Sequence, residues 1–175
     1  MKNTLGEMPA DFDIICIPGT NGMIGLTSMP GYSHTKDGKI IDIDTQLARI
    51  KAWGAEIILS LVKEFEYSAP NFPSRVPEGL RHIELPIEDQ GIPDGKWEKK
   101  WKMVGSDIRE SLKNGGKICI HCFGGHGRTG TIAARILVEM GQTPAEAISL
   151  VRKVRPKCIE NYKQFGHVME QKAIT

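Results

Sequence analysis

The sequence predicts an α/β fold in which a central, mostly parallel sheet is flanked by helices. Short apolar runs typical of buried strands alternate with longer segments whose apolar residues recur every three or four positions, as in helices. After the last apolar run only helical segments follow. The chain has 175 residues, 40% hydrophobic and 25% charged, which is ordinary for a globular protein. With no repeat or linker visible, we expect residues 1–175 to form one domain.

The predicted strands are short apolar runs that stop at turn residues. The run EIILSLV is continuously apolar and is typical of a strand buried on both faces. Proline and glycine end the first two runs, and neither residue type continues a strand well. The five predicted strands are Phe12–Ile17, Ile24–Met29, Glu56–Val62, Arg81–Ile87 and Ile118–His121.

The predicted helices have one apolar face and recognisable ends. The first begins near Asp44, whose carboxylate is expected to cap its first turn, and it ends at Gly54. The prolines of residues 63–79 exclude a long helix there. A second helix is expected over Trp97–Leu112 because its apolar residues define one face. Three more are expected over Thr131–Met140, from the capping box at Thr143 to Val154, and over Glu160–Gln171.

The stretch KICIHCFGGHGRTG, residues 117–130, joins the last predicted strand to a helix through a glycine-rich loop. Such a loop directs backbone N–H groups, and the positive end of the helix dipole, into one small volume. A phosphate monoester dianion fits that volume, and Arg128 can bind two of its oxygens at once. The same field stabilises a thiolate at Cys122. The sequence therefore predicts a phosphate site that contains its own nucleophile.

Two other chemistries use the residue types of this stretch. Cys119 and Cys122 form a Cys-x-x-Cys pair, but redox pairs of this kind usually open a helix, whereas Cys119 lies in a strand pattern. Zinc binding by these cysteines together with His121 and His126 is disfavoured because strand alternation separates the side chains. We therefore expect neither a metal nor a cofactor.

The order His121-Cys122, five residues, Arg128-Thr129 matches the His-Cys-x5-Arg-Ser/Thr signature of the cysteine-dependent protein tyrosine phosphatases, and the chain resembles that family. The stretches IGLTSMPG, LPIEDQGIPD and IENYKQ resemble the kinase-associated phosphatase branch of its dual-specificity group. The resemblance implies a tyrosine-phosphatase-like fold, one catalytic domain over 1–175 and a phosphocysteine intermediate on Cys122. It also implies a phosphate-binding loop made of Phe123, Gly124, Gly125, His126, Gly127 and Arg128.

Protonation of the leaving group requires a carboxylic acid on a mobile loop beside the pocket. The stretch Leu85–Lys96 follows a predicted strand and places acids among glycine and proline residues. Asp89 is the expected general acid because its separation from Cys122 resembles that found in the family. Glu88 and Asp94 are its rivals, as either a loop charge or a helix cap.

The resemblance assigns roles to four further residues. Thr129 is expected to hydrogen-bond the sulfur as it leaves phosphorus, with capping of the next helix as its alternative role. His121 is expected to stay buried and to orient the cysteine loop. Gln164 matches one of the family's two water-positioning glutamines, whereas Glu160 stands where the other is usual. Both could instead be exposed polar residues of the last helix.

The expected partner is a phosphorylated protein or peptide carrying phosphotyrosine, with phosphoserine or phosphothreonine as further substrates. The loop lacks the paired lysines typical of phosphoinositide phosphatases. An inositol phosphate, a nucleotide or an RNA 5′-phosphate is the alternative substrate for the same chemistry. A catalytically inactive phosphate-binding module is the third hypothesis.

Composition limits the partners and the compartment. A net charge of +2 does not indicate binding to nucleic acid or to an anionic membrane. No apolar run approaches the length of a membrane span, and the first residues lack a signal-peptide core. We therefore expect a cytoplasmic protein. Cys16 and Cys158 are expected to be small core residues rather than members of a disulfide framework.

Overall fold

The structure is a computed structural model that describes residues 8–33, 35 and 37–174, so part of the N-terminal stretch compared with signal peptides lies outside it. A five-stranded sheet with the order β1-β2-β5-β3-β4 occupies the centre. Strand β1 is antiparallel to β2, and the other neighbours are parallel. The predicted mostly parallel sheet flanked by helices is confirmed. The strands are β1 Asp13–Cys16, β2 Met23–Thr27, β3 Ala55–Ser60, β4 Arg81–Glu84 and β5 Lys117–His121.

Helices cover the sheet, and one of them is buried along its whole length. The α helices are α1 Ile43–Ala52, α2 Phe72–Arg75, α3 Gly95–Lys113, α4 Gly127–Glu139, α5 Pro144–Val154 and α6 Tyr162–Met169, with a short 3-10 helix at Glu64–Glu66. The buried helix, α4, contacts β2 and β5 on one side and α5 and α6 on the other. Because α4 starts where the glycine-rich loop ends, this packing fixes the end of that loop.

The first helix is capped by a different aspartate from the one predicted. Asp42, not Asp44, has the extended backbone of an N-cap, and its carboxylate accepts a hydrogen bond from Thr45 N at 3.0 Å. Asp44 already lies in the first turn, where its carboxylate pairs with Arg75 at 2.8 Å. The predicted end of the helix is confirmed, because Gly54 follows it with φ +99°.

Two helix starts that bear on the site differ from the prediction. Helix α4 begins at Gly127 rather than Thr131, so that Arg128 lies inside its first turn. Helix α6 begins at Tyr162, which leaves Glu160 in the connection before the helix. Both shifts place residues of the expected site on or just before a rigid helical turn.

The cysteine prediction is half right. Cys158 is buried with 1% exposure, as expected for a core residue. Cys16 is exposed instead, because β1 is an edge strand on which Ile15 takes the inward position and its neighbour points outward. All four cysteines are free thiols in the structure.

Candidate active site

A cavity of about 530 Å³ opens at the carboxyl edge of the sheet. Its walls come from segments that follow the four parallel strands: Tyr32 after β2, Glu66 after β3, Asp89 after β4 and Cys122 after β5. Parallel strands end at one edge of a sheet, so the fold brings together side chains that are distant in sequence. The other lining residues are Phe65, Tyr67, Gln90, Phe123, Gly124, His126, Gly127, Arg128 and Glu160.

The glycine-rich loop is held in a conformation that requires glycine. Gly125 has φ +73°, and a Cβ atom there would lie 2.5 Å from the carbonyl oxygen of Thr27. The loop is also tied to the end of β2, because Met29 N donates to the carbonyl of Phe123 at 2.9 Å. A larger residue at position 125 would therefore push the loop away from the sheet.

Cys122 lies at the floor of this loop with 3% exposure. The backbone N–H of Gly125 donates to its Sγ at 3.2 Å. A hydrogen-bond donor and the positive end of the α4 dipole both favour negative charge on the sulfur. The loop thus surrounds a potential nucleophile with groups that suit an anion.

Arg128 is buried in the wall of the cavity and is held by a residue that the sequence analysis missed. Its Nη1 and Nη2 donate to the two carboxylate oxygens of Glu66 at 2.9 and 2.8 Å. Nη1 also donates to the carbonyls of Leu61 at 3.4 Å and Ile87 at 3.1 Å. These hydrogen bonds fix the plane of the guanidinium. Bidentate binding of two phosphate oxygens requires such a fixed plane.

The charges of this pair stabilise each other. Burial opposes ionisation of Arg128, but Glu66, Cys122 and Asp89 outweigh it and raise the pKa of the guanidinium. Burial likewise favours the neutral form of Glu66, yet the hydrogen bonds from Arg128 and the backbone of Lys63 hold the pKa of its carboxyl below the ordinary value. Both groups are therefore charged at neutral pH.

The expected acid loop borders the same cavity. The carboxylate of Asp89 lies 3.2 Å from Nη2 of Arg128 and is 74% exposed. Its rivals are engaged elsewhere: Glu88 pairs with Lys63, and Asp94 caps α3 by accepting from Trp97 N at 2.8 Å. Of the three acids, only Asp89 lines the cavity that holds Cys122.

His121 is fully buried behind the loop, where it is neutral. Burial lowers the pKa of its imidazole to about 3. Its Nδ1 lies 3.2 Å from the carbonyl oxygen of Cys122, which can only accept, so Nδ1 carries the proton. Its Nε2 is then an acceptor and receives the hydroxyl proton of Ser60 at 2.6 Å. The hydroxyl oxygen of Ser60 in turn accepts from Nε2 of His82 at 2.8 Å.

Thr129 and His126 occupy the first turn of α4 and its cap. The hydroxyl of Thr129 is buried and has no hydrogen-bond partner among the residues that the structure describes. It does not cap the helix, because the N-cap position is His126. Burial and the charge of Arg155 lower the pKa of His126, so this histidine is not a cation at neutral pH.

Glu160 and Gln164 both lie against the loop at Gly127, where a Cβ atom would clash with them. Gln164 is fully buried in α6, and its Oε1 accepts from the backbone N–H of Glu160 at 2.8 Å. Glu160 precedes the helix, and its exposed side chain lines the cavity. The alternative that both are exposed helix residues is therefore wrong for each of them, for different reasons.

Two features are absent from the residues that the structure describes. No group of three or more His, Cys, Asp or Glu side chains in that part of the chain is arranged to hold a metal ion. None of its helices combines the length and the apolar character needed to cross a membrane.

Comparisons with known proteins show the family to which this chain belongs. A family model described as the Swiss Army Knife protein, DSP-PTPase phosphatase domain, matches residues 41–168. The rat cyclin-dependent kinase inhibitor 3 is 30% identical over 156 residues, covering 84% of this chain and 70% of that protein. The tyrosine-protein phosphatase CDC14 of Saccharomyces cerevisiae is 36% identical over 94 residues, which are 53% of this chain and 16% of that one.

One solved structure is similar to nearly the whole fold of this chain. Kinase-associated phosphatase, crystallised with its catalytic-site cysteine replaced by serine, superimposes with a TM-score of 0.78 at 25% identity. The match covers 94% of this chain and 95% of the other. The chain belongs to the dual-specificity group of the cysteine-dependent protein tyrosine phosphatase family.

Proposed function

We propose that this protein hydrolyses phosphate monoesters of tyrosine, and also of serine and threonine, on proteins through a phosphocysteine intermediate. The observation that carries the proposal is the meeting of Cys122, Arg128 and Asp89 in one cavity. Each supplies one requirement of phosphoryl transfer: a nucleophile, stabilisation of charge on the phosphoryl oxygens and a proton for the leaving group.

In the first step the Cys122 thiolate attacks phosphorus, and the bond from phosphorus to the ester oxygen breaks. Arg128 and the N–H groups of the loop stabilise the phosphoryl oxygens. Asp89 gives a proton to the departing oxygen, so that a neutral phenol leaves from tyrosine and a neutral alcohol from serine or threonine. The enzyme then carries phosphate on sulfur.

In the second step water attacks phosphorus and the phosphorus–sulfur bond breaks. The Asp89 carboxylate takes the proton from the attacking water, which restores the acid. Thr129, whose hydroxyl has no hydrogen-bond partner among the described residues, donates a hydrogen bond to the departing sulfur, and Gln164 and Glu160 orient the water. Inorganic phosphate and the free thiolate result, and no metal or cofactor takes part in either step.

The rim of the cavity supports an aryl phosphate as substrate. The rings of Tyr32 and Phe123 lie 4.9 Å apart on one side, and Phe65 is 83% exposed on another. Aromatic side chains offer a phosphotyrosine ring large apolar contacts, which a phosphoserine side chain is too short to make. We therefore expect phosphotyrosine to be the preferred residue.

The first experiment measures turnover of p-nitrophenyl phosphate by the wild type and by Cys122→Ser. The wild type should turn over and the variant should lose activity by at least about 10³-fold while still binding tungstate, because a serine hydroxyl is a far weaker nucleophile than a cysteine thiolate. Measurable wild-type turnover excludes the inactive binding module. Unchanged activity in the variant would remove Cys122 from the mechanism.

The second experiment decides the substrate class. Phosphotyrosine, phosphoserine and phosphothreonine peptides are compared with an inositol phosphate, a nucleotide and an RNA 5′-phosphate at equal concentrations. A cavity of about 530 Å³ can also admit these soluble phosphates, which is why they remain the alternative. A higher kcat/KM on any of them than on the phosphotyrosine peptide would overturn the protein-substrate proposal.

A further inference from the structure

The loop that carries Asp89 has a conformation that its own sequence does not favour. Residues 88–91 form a tight turn in which Gly91 N donates to the carbonyl of Glu88 at 2.8 Å. Within it, Gln90 has φ +55°, a left-handed conformation that costs a residue with a side chain about 1–3 kcal/mol. A turn of this kind stays populated only when neighbouring groups hold it.

Two side chains of another segment contact this turn. The amide Nδ2 of Asn161 donates to the carbonyl oxygen of Gln90 at 2.9 Å. The amide Nε2 of Gln164 makes a longer contact, 3.4 Å, with the carbonyl oxygen of Gly91. The accepting carbonyls belong to the first and second residues after Asp89, so these contacts hold the backbone that immediately follows the expected general acid.

Asn161 is itself held in place from its other side. Its Oδ1 caps α6 by accepting from Gln164 N at 3.0 Å. Ile159, two residues before Asn161, has φ +61°, which is strained for a β-branched residue. Its carbonyl accepts from Nη2 of Arg152 at 3.0 Å. Nε of the same arginine donates to the carbonyl of Cys158 at 3.1 Å. Asn161 therefore projects from a fixed segment toward a strained one.

We propose that Asn161 is a positioning residue for the general acid: its side-chain amide holds the turn at Gln90 so that Asp89 stays beside Arg128. The inference rests on the proposed function, because it concerns the delivery of the Asp89 proton. Asn161 does not touch the reacting atoms. Its removal should lower the population of the loop conformation that protonates the leaving group and should leave attack by Cys122 largely intact.

The test compares substrates that need the acid to different extents. Phenyl phosphate has a poor leaving group and depends on protonation, whereas p-nitrophenyl phosphate has a good leaving group and depends on it less. The variant Asn161→Ser keeps an N-cap of similar strength but is too short to reach Gln90. Losing one hydrogen bond should lower kcat/KM for phenyl phosphate about two- to tenfold and that for p-nitrophenyl phosphate less than twofold.

Three companion variants keep the test decisive. Asn161→Asp keeps the size and the cap but loses the donor, and should shift the substrate ratio in the same direction. Asn21→Ser, in an exposed loop at the opposite edge of the sheet, should leave the ratio unchanged. Asp89→Ala should give the largest shift and defines the full effect of losing the acid.

Hydrogen exchange at the Gly91 amide gives a readout that does not require turnover. That amide closes the turn, so it should exchange about two- to tenfold faster in both Asn161 variants. Absence of any wild-type turnover would contradict the proposed function itself. An active wild type in which neither the substrate ratio nor the Gly91 exchange rate changes in the Asn161 variants would overturn this inference alone. The inference also fails if Asp89→Ala leaves the ratio unchanged.

Discussion

Glu66→Gln tests whether the carboxylate behind Arg128 matters for catalysis. The substitution keeps the size of the side chain and one acceptor oxygen. That oxygen can still accept the hydrogen bond from Lys63 N that caps the short 3-10 helix. It removes the negative charge and one of the two hydrogen bonds to the guanidinium. Arg128 should then sample other orientations and bind the phosphoryl group less well.

The size of the effect follows from the burial of the pair. The side chains of Arg128 and Glu66 are 2% and 12% exposed, so solvent screens their interaction little. A hydrogen bond to a charged group contributes about 1.5–3 kcal/mol. If most of this orients Arg128 in the transition state, kcat/KM should fall about 10- to 100-fold.

The assay measures kcat and KM for p-nitrophenyl phosphate and the affinity for tungstate by calorimetry. Both kcat and tungstate affinity should fall, while Asp89-dependent sensitivity to the leaving group stays as in the wild type. Glu64→Gln is the matched control, because Glu64 lies exposed in the same 3-10 helix and outside the cavity that holds Cys122. A Glu66→Gln enzyme with wild-type kcat and tungstate affinity would refute the reasoning.

Two further predictions concern stability. The pKa of His121 is about 3 in the folded protein and near 6.5 when unfolded, so the unfolded state binds the extra proton and stability falls as pH drops below about 6.5. Measured by urea unfolding, the free energy of unfolding should fall by about 2 kcal/mol between pH 7 and pH 5 because of His121. The variant His121→Asn should lack this part of the pH dependence. The same pH dependence in the variant as in the wild type would contradict the prediction. Gly125→Ala should lower the free energy of unfolding by at least about 2 kcal/mol and abolish tungstate binding, because the added Cβ would clash with Thr27. Gly166→Ala, whose Cβ meets nothing within 4 Å, should stabilise the protein by about 1 kcal/mol; equal effects of the two alanines would contradict the account.

Features governed by neighbours in the chain were predictable from the sequence. The strand, glycine loop and helix around Cys122 are formed by contiguous residues, and the geometry of such a unit follows from glycine freedom and helix start rules. The capping box at Thr143 and the buried face of α3 were predictable for the same reason. The first cap was mistaken because two aspartates stand two positions apart, and only backbone conformation distinguishes Asp42 from Asp44.

Two contacts that depend on which strand ends meet were not predicted from the sequence. Glu66 is 62 positions from Arg128, in a stretch with several acids, and no local pattern marks it as the arginine's partner. Ser60 reaches His121 only because β3 lies beside β5 in the sheet. The order of the strands in the sheet depends on how the whole core packs, and a single sequence does not reveal that order.

The sequence by itself predicted the proposed nucleophile and the proposed anion site, because Cys122, the loop and Arg128 lie within one strand-loop-helix unit. The tertiary structure alone decided how that unit is supported: Glu66 orients the arginine, and Asn161 reaches the loop of Asp89 from another segment. The physical reason is one of range. Within the strand-loop-helix unit, adjacent residues set most of the backbone geometry, whereas side-chain pairing across the edge of the sheet requires the whole core to be packed.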